Sequence, residues 1–263
     1  MKRPVITLLT DFGTSDYYVG AMKGVILSIC PDAQIVDITH EIAPWQVGHG
    51  AWMLAQAWGC FPPGTVHIAV VDPGVGSNRR PLLAAAGGHL FVAPDNGVLT
   101  RVLAQTPPDA VREITESRYF RLPLSQTFHG RDLFAPVAAH LACSVPPENF
   151  GPELKTFTHL PSVAPRQTGE GEWQGEVLWV DRFGNVVTCF DTDSFGWVSG
   201  EPFMLELNGI TVQKYQQYYG AMPANVLHLT GGSAGYLEVS VNQQDAACFL
   251  AVGAGSPVIL RRV

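Results

Sequence analysis

Val5-Ile6-Thr7-Leu8-Leu9-Thr10-Asp11-Phe12-Gly13 runs from a nearly unbroken apolar stretch straight into a polar turn. A short apolar run bounded by turn residues reads as a strand buried on both faces, and such strands belong to sheets covered by helices. The chain beyond it keeps that rhythm. Asp16 to Cys30 carries a helical pattern stopped by Pro31, Ile35 to Ile38 reads as a second strand, and Gln46 to Gly59 places Val47, Ala51, Leu54 and Trp58 at helical spacing. Pro62-Pro63-Gly64 breaks the chain before the strand Val66 to Val71, and Gly87-Gly88 joins Leu82–Ala86 to Leu90–Ala93 as a hairpin. Asn96 to Gln105 and Asp132 to Cys143 are further predicted helices. Strands alternating with helices predict an α/β domain with a largely parallel sheet over residues 1–150.

The text then changes. Val145 to Gly175 is rich in Pro, Thr and Gly without periodicity, and residues 151–174 are expected to be a linker. Residues 175–263 read as a smaller antiparallel all-β, barrel-like domain, with strands at Val177–Val180, Val186–Phe190, Phe203–Leu207, Val226–Leu229, Tyr236–Val241 and Val258–Arg261. Asn208-Gly209 is its strongest hairpin signal, because both turn positions favour φ > 0.

Composition limits the function classes. Of 263 residues, 46% are hydrophobic and 15% charged, and the net charge is −7. That apolar content argues against disorder, and an acidic chain without a Lys/Arg run offers nucleic acid no phosphate footprint. No apolar run reaches the ~18 residues of a membrane helix. Met1-Lys2-Arg3-Pro4 turns directly into a strand and leaves no room for a signal peptide, so a cytoplasmic protein is expected. The five cysteines are dispersed, form no CxxC pair and read as reduced thiols, and no metal is expected.

Thr10-Asp11-Phe12-Gly13 contains the letters of a kinase DFG but stands far too early in the chain for one. An Asp at the end of a first strand, before a helix, sits where open α/β sheets bind ligands. Asp11 there either grips a ribose diol or organises the turn through backbone N–H groups. Val71-Asp72-Pro73-Gly74-Val75-Gly76-Ser77-Asn78-Arg79 ends the third strand. Its loop can fold Arg79 back onto Asp72, as a catalytic pair or as a loop-stabilising ion pair. In Thr127-Phe128-His129-Gly130-Arg131-Asp132, His129 precedes a helix whose positive end disfavours imidazolium, leaving the neutral form a general base requires. The remaining histidines read as structural or surface residues. Trp45 at a helix start, and Asn185 in the turn Asp181-Arg182-Phe183-Gly184-Asn185, either bracket a ligand or serve as a core aromatic and a turn amide.

Taken in order, TDFG, PWQVGHGA, VVDPGVGSNRR, VAPDNGVLT, TFHGRDLFAP, DRFGNVVT and GYLEVSVN make the chain resemble the S-adenosylmethionine (SAM) hydroxide adenosyltransferases from residue 5 to about 262. These are adenosine-forming SAM hydrolases, related to the fluorinases and chlorinases. The resemblance implies an α/β and a β-rich domain and a homotrimer with SAM bound between subunits. It also implies a metal-free, cofactor-free reaction of SAM with water giving adenosine and methionine. It assigns the water-handling set to Asp72, Arg79 and His129, and the ribose side to Asp11 and Trp45, with Phe128 on the substrate side. It places Asp181 and Ser233 at the methionine amine, Phe183 and Asn185 at adenine, and Asn242 on the adenine-contacting segment. Within the set, His129 could take the water's proton, Asp72 orient imidazole or water, and Arg79 hold Asp72 ionised. The halide-using relatives carry Tyr at the position of Asp72 and a long insertion after the loop arginine, so this chain follows the hydrolase pattern. Ala234 stands where the halogenases place the Arg for the methionine carboxylate. The rival readings are a halide-dependent SAM lyase, a non-catalytic SAM or nucleoside sensor, and a metallohydrolase, the last without any ligand-spaced His/Asp cluster.

Overall fold

The computed structural model describes residues 3–263; Met1 and Lys2, part of the stretch read as excluding a signal peptide, lie outside the described residues. The chain forms two units, one running through Leu160 and the other from Pro161 to Val263.

In the first unit, β1 (Val5–Thr10), β2 (Gln34–Thr39), β3 (Val66–Val70), β4 (Pro81–Ala86), β5 (His89–Pro94) and β6 (Pro108–Glu113) form one sheet in the order β2-β1-β3-β5-β4-β6. β1, β2, β3 and β5 run parallel, and β4 runs antiparallel to both β5 and β6. Strand β6 was not legible: its mixture of polar residues suits an edge strand, where Pro108 at the first position forfeits no internal ladder bond. Apolar residues of β1 and β3 point to both faces. Ile6, Leu8, Ile68 and Val70 pack with α1 (Tyr18–Ile29) and α4 (Ala135–Ala142); Leu9, Ala69 and Val71 pack with α2 (Val47–Ala57) and α3 (Thr100–Gln105). α3 is shorter than the predicted 96–105 helix, because Asn96 and Gly97 form a turn in which Gly97 has φ +92°.

Chain order decides where the sheet can bind a ligand. From β1 the chain crosses to β2 on one side and then returns to place β3 on the other, so β1 and β3 flank a topological switch point. Loops leaving the C-terminal ends of such neighbours diverge and open a crevice. Asp11 and Asp72 lie in those two loops.

In the second unit, β7 (Arg166–Gly169), β8 (Glu172–Val180), β9 (Val186–Asp191), β10 (Phe203–Leu207), β11 (Ile210–Val212), β12 (Leu227–Gly231), β13 (Tyr236–Val241) and β14 (Pro257–Arg262) form an antiparallel sheet, with short helices α5 (Thr192–Phe195) and α6 (Ala246–Leu250). The path runs β11-β10-β14-β8-β9-β13-β12, with β7 paired to β8. A bridge from Tyr215 to Leu229 brings its ends together, so the sheet nearly closes as a barrel around Val186, Phe190, Leu205, Leu229, Val239 and Leu260. The Asn208-Gly209 turn joins β10 to β11 with both residues at positive φ, as the sequence predicts. The 151–174 stretch is partly ordered against its neighbours: Leu154 N–H donates to the Val111 carbonyl (2.7 Å), Thr158 N–H to Asp95 (2.7 Å), and β7 lies within it. Among the described residues no helix is long and apolar enough to cross a membrane.

Candidate active site

Asp11, Trp45, Asp72, Phe128 and His129 line one cavity of about 480 Å³ in the first unit, a size typical of small-molecule sites. Arg79 stands behind two of them. Its Nε donates to both carboxylate oxygens of Asp72 (3.1 and 3.0 Å) and its Nη2 to Oδ2, a bidentate pair with both side chains largely buried. The same Nη2 lies 2.8 Å from Nδ1 of His129. A guanidinium only donates, so Nδ1 accepts and the imidazole proton sits on Nε2. That Nε2 is buried and makes no hydrogen bond among the described residues. Burial, followed by the Arg79 charge, holds the imidazole pKa below its usual value and keeps the ring neutral. The sequence expectation of a neutral His129 stands, but burial and Arg79 are the causes, ahead of any helix dipole.

Four local devices hold this geometry. The Asp72–Arg79 loop is closed by Ser77, whose Oγ donates to the Gly74 carbonyl (2.6 Å) and accepts from Arg79 N–H (3.2 Å). Gly76 has φ +77°, and a Cβ there would collide with the Gln126 carbonyl, so the loop lies directly against the segment leading to His129. That segment is tied down by buried Asp132, which accepts from Arg121 (3.0 Å), Arg131 (2.7 and 2.8 Å) and Ser125 N–H (3.0 Å). His129 itself precedes a π-helical turn, Gly130–Phe134, that runs into α4. Such turns concentrate at functional sites, and no sequence signal announces this one. Asn96 Nδ2 donates to the Val71 carbonyl (2.8 Å) and fixes the strand end before Asp72.

Across the crevice, Asp11 Oδ2 accepts from Trp45 N–H at 2.9 Å. One Asp11 oxygen thus organises the loop, as the turn reading expects, and the side chain also lines the cavity. Burial raises its pKa against that backbone bond, with Asp72 adding repulsion. Trp45 is exposed and adopts φ +67°, an uncommon conformation for a bulky residue, which excludes the core-aromatic reading. Upstream, Thr10 Oγ1 pairs with His40 Nδ1 (2.8 Å) and accepts from Phe12 N–H (3.2 Å), and His40 Nε2 lies 3.1 Å from Asp37 Oδ1. Phe12 and Tyr18 also line the cavity and escaped the sequence reading, although Phe12 stands beside Asp11 in the motif.

Phe183, Asn185 and Asn242 line a second cavity, of about 640 Å³, in the second unit. Asp181 shapes its turn: Oδ1 accepts from the N–H groups of Phe183 and Asn185 (2.8 Å each), and Oδ2 from Asn185 Nδ2 (2.8 Å). Asn242 Nδ2 donates to the Met222 carbonyl (2.8 Å). Ser233 is exposed in the Gly232–Gly235 turn; neither it nor Asp181 is among the residues lining that cavity.

A switch-point α/β unit with a carboxylate–guanidinium–imidazole chain in its crevice, followed by a barrel-like β unit with its own cavity, defines a two-domain small-molecule-binding class. The sequence matches the SAM hydroxide adenosyltransferase N-terminal domain over residues 6–151 and the C-terminal domain of that family over 175–259. The chain belongs to this family. It is 38% identical to a Thermus thermophilus protein named (R)-S-adenosyl-L-methionine hydrolase, over 98% of this chain and 99% of the relative. A fluorinase from Actinopolyspora mzabensis is 29% identical over 73% of each chain. A solved Thermotoga maritima structure, described as an uncharacterized conserved protein, superposes with a TM-score of 0.91 at 38% identity, covering 98% of this chain and all of that one.

Proposed function

We propose that this protein is an enzyme that hydrolyses S-adenosyl-L-methionine by attack of water on C5′, giving adenosine and L-methionine, and that the (R) form named for its relatives is the substrate. The observation that carries the reading is the Asp72–Arg79–His129 chain facing a cavity at the β1/β3 switch point. In the attack, the C5′–O bond forms as the C5′–S bond breaks. The breaking bond's electron pair returns to sulfur, and methionine leaves as a neutral thioether that needs no general acid. The task left to the protein is to hold water in line in a site shielded from solvent. Arg79 orders Asp72 and fixes the His129 tautomer. His129 donates from Nε2 to the water oxygen, and Asp72 accepts the proton that water sheds before passing it to solvent. Asp11 and Trp45 hold the ribose side and Phe128 packs beside the substrate; Phe183, Asn185 and Asn242 serve adenine, and Asp181 and Ser233 the methionine amine. The reaction so drawn uses no metal or cofactor, because the sulfonium is already activated. A homotrimer working in the cytoplasm completes the proposal.

Incubation of the purified protein with each sulfonium epimer, followed by chromatography, tests it. Adenosine and methionine should appear in equal amounts from the (R) epimer. Intact SAM, or a 5′-halogenated nucleoside formed only with halide present, would defeat the reading.

A further inference from the structure

Asp181 is nearly spent. Three of the hydrogen bonds its carboxylate can accept already go to its own turn, while an α-ammonium brings three N–H donors. A second carboxylate lies close by. Glu238, on β13, is only 5% exposed. Its Oε2 accepts from the Tyr219 hydroxyl at 2.8 Å, and Tyr219 lines the second unit's cavity. Its Oε1 lies against Gly232, so close that a Cβ there would overlap it, and Gly232 adjoins Ser233. Among the described residues nothing else donates to Glu238, and no Lys, Arg or His pairs with it. A buried carboxylate without a cation is costly unless a partner arrives.

We infer that Glu238 is a specificity-determining residue that pairs with the α-ammonium of the substrate's amino-acid end, beside Ser233 and the remaining acceptor position of Asp181. The inference rests on the proposed SAM reaction. Residue 234 is an alanine, so this turn offers the substrate carboxylate no guanidinium, and recognition through the ammonium suits the neighbouring carboxylates of Asp181 and Glu238. Gly232 leaves room for Oε1, and Tyr219 holds the other oxygen in place. Burial, with Asp181 as a neighbouring charge, raises the Glu238 pKa despite the Tyr219 bond, as expected for a carboxylate awaiting its counter-ion. Tyr219 and Asp181 are the titratable groups facing it; its cross-strand neighbours, Thr230 on β12 and Val187 on β9, do not titrate.

The test compares SAM with its des-amino analogue, which keeps the carboxylate. Glu238→Gln retains size and an acceptor for Tyr219. KM for SAM should rise on the order of tenfold or more, while adenosine affinity and KM for the analogue stay as in the unsubstituted enzyme. Unchanged KM for SAM, or an equal loss with both substrates, overturns the inference and leaves the hydrolase reading standing. Failure of the unsubstituted protein to cleave SAM overturns both. A comparison of affinities on the unsubstituted protein needs no variant: SAM should bind on the order of tenfold or more tightly than the des-amino analogue, and equal affinity would also overturn the inference.

Discussion

Arg79 Nη2 lies 2.8 Å from His129 Nδ1, so the guanidinium that grips Asp72 also dictates which imidazole nitrogen carries the proton. His129 therefore carries its proton on the buried Nε2, and the proposed mechanism gives the proton-accepting role to Asp72.

Substitutions at position 129 separate donor from base. Glutamine can accept from Arg79 through its carbonyl oxygen and donate through its amide. His129→Gln should keep at least about tenfold more turnover than His129→Ala, and Asp72→Asn should lose on the order of 10²-fold or more in kcat with little change in KM. Steady-state kinetics decide: equal loss in both His129 variants would return the base role to the imidazole.

Asp11→Asn should weaken adenosine and SAM alike. A hydrogen bond to a charged group contributes about 1.5–3 kcal/mol, or roughly ten- to 150-fold in affinity. Titration calorimetry with adenosine reads this directly, and an unaltered Kd would remove Asp11 from the ribose contact.

Gly76→Ala should reduce both stability and kcat. A left-handed conformation costs a non-glycine residue about 1–2 kcal/mol, and the added methyl group meets the Gln126 carbonyl. Relief of that clash moves Arg79 and His129 apart. Thermal denaturation alongside kinetics checks the prediction; a variant with unchanged Tm and kcat would contradict it.

Much of this arrangement is legible in the sequence. The apolar runs of β1 and β3, each ending at an Asp, announce a covered parallel sheet with carboxylates at its mouth. The ion pair across the Gly-rich loop follows from its local spacing. The contact between Arg79 and His129 spans distant positions and is fixed by tertiary packing. No pattern forecasts the left-handed Trp45 or the π-helical turn after His129. Strand β6 escaped because an edge strand has no need of an apolar run, and Glu238 reads as an ordinary polar alternation until Gly232 and Tyr219 close over it.

His67, buried between Thr7 (2.7 Å) and His89 (3.1 Å), links stability to pH. Burial, aided by His89, pushes its pKa down to about 3. The unfolded chain therefore binds a proton that the folded chain refuses. This contribution to stability is complete above the ordinary value near 6.5 and is lost as pH falls toward the folded value. Between about pH 6.5 and 5.5, above most carboxylate titration, the His67 contribution to unfolding free energy should approach a slope of roughly 1.4 kcal/mol per pH unit. His67→Gln should flatten the pH dependence of denaturant unfolding, and identical slopes in the two proteins would contradict the assignment.

Reaction in H₂¹⁸O tests most directly whether water attacks C5′. Mass spectrometry of the products should find one ¹⁸O atom in adenosine, at the 5′ hydroxyl, and none in methionine. Adenosine without the label, or label carried instead by an amino-acid product, would contradict the account.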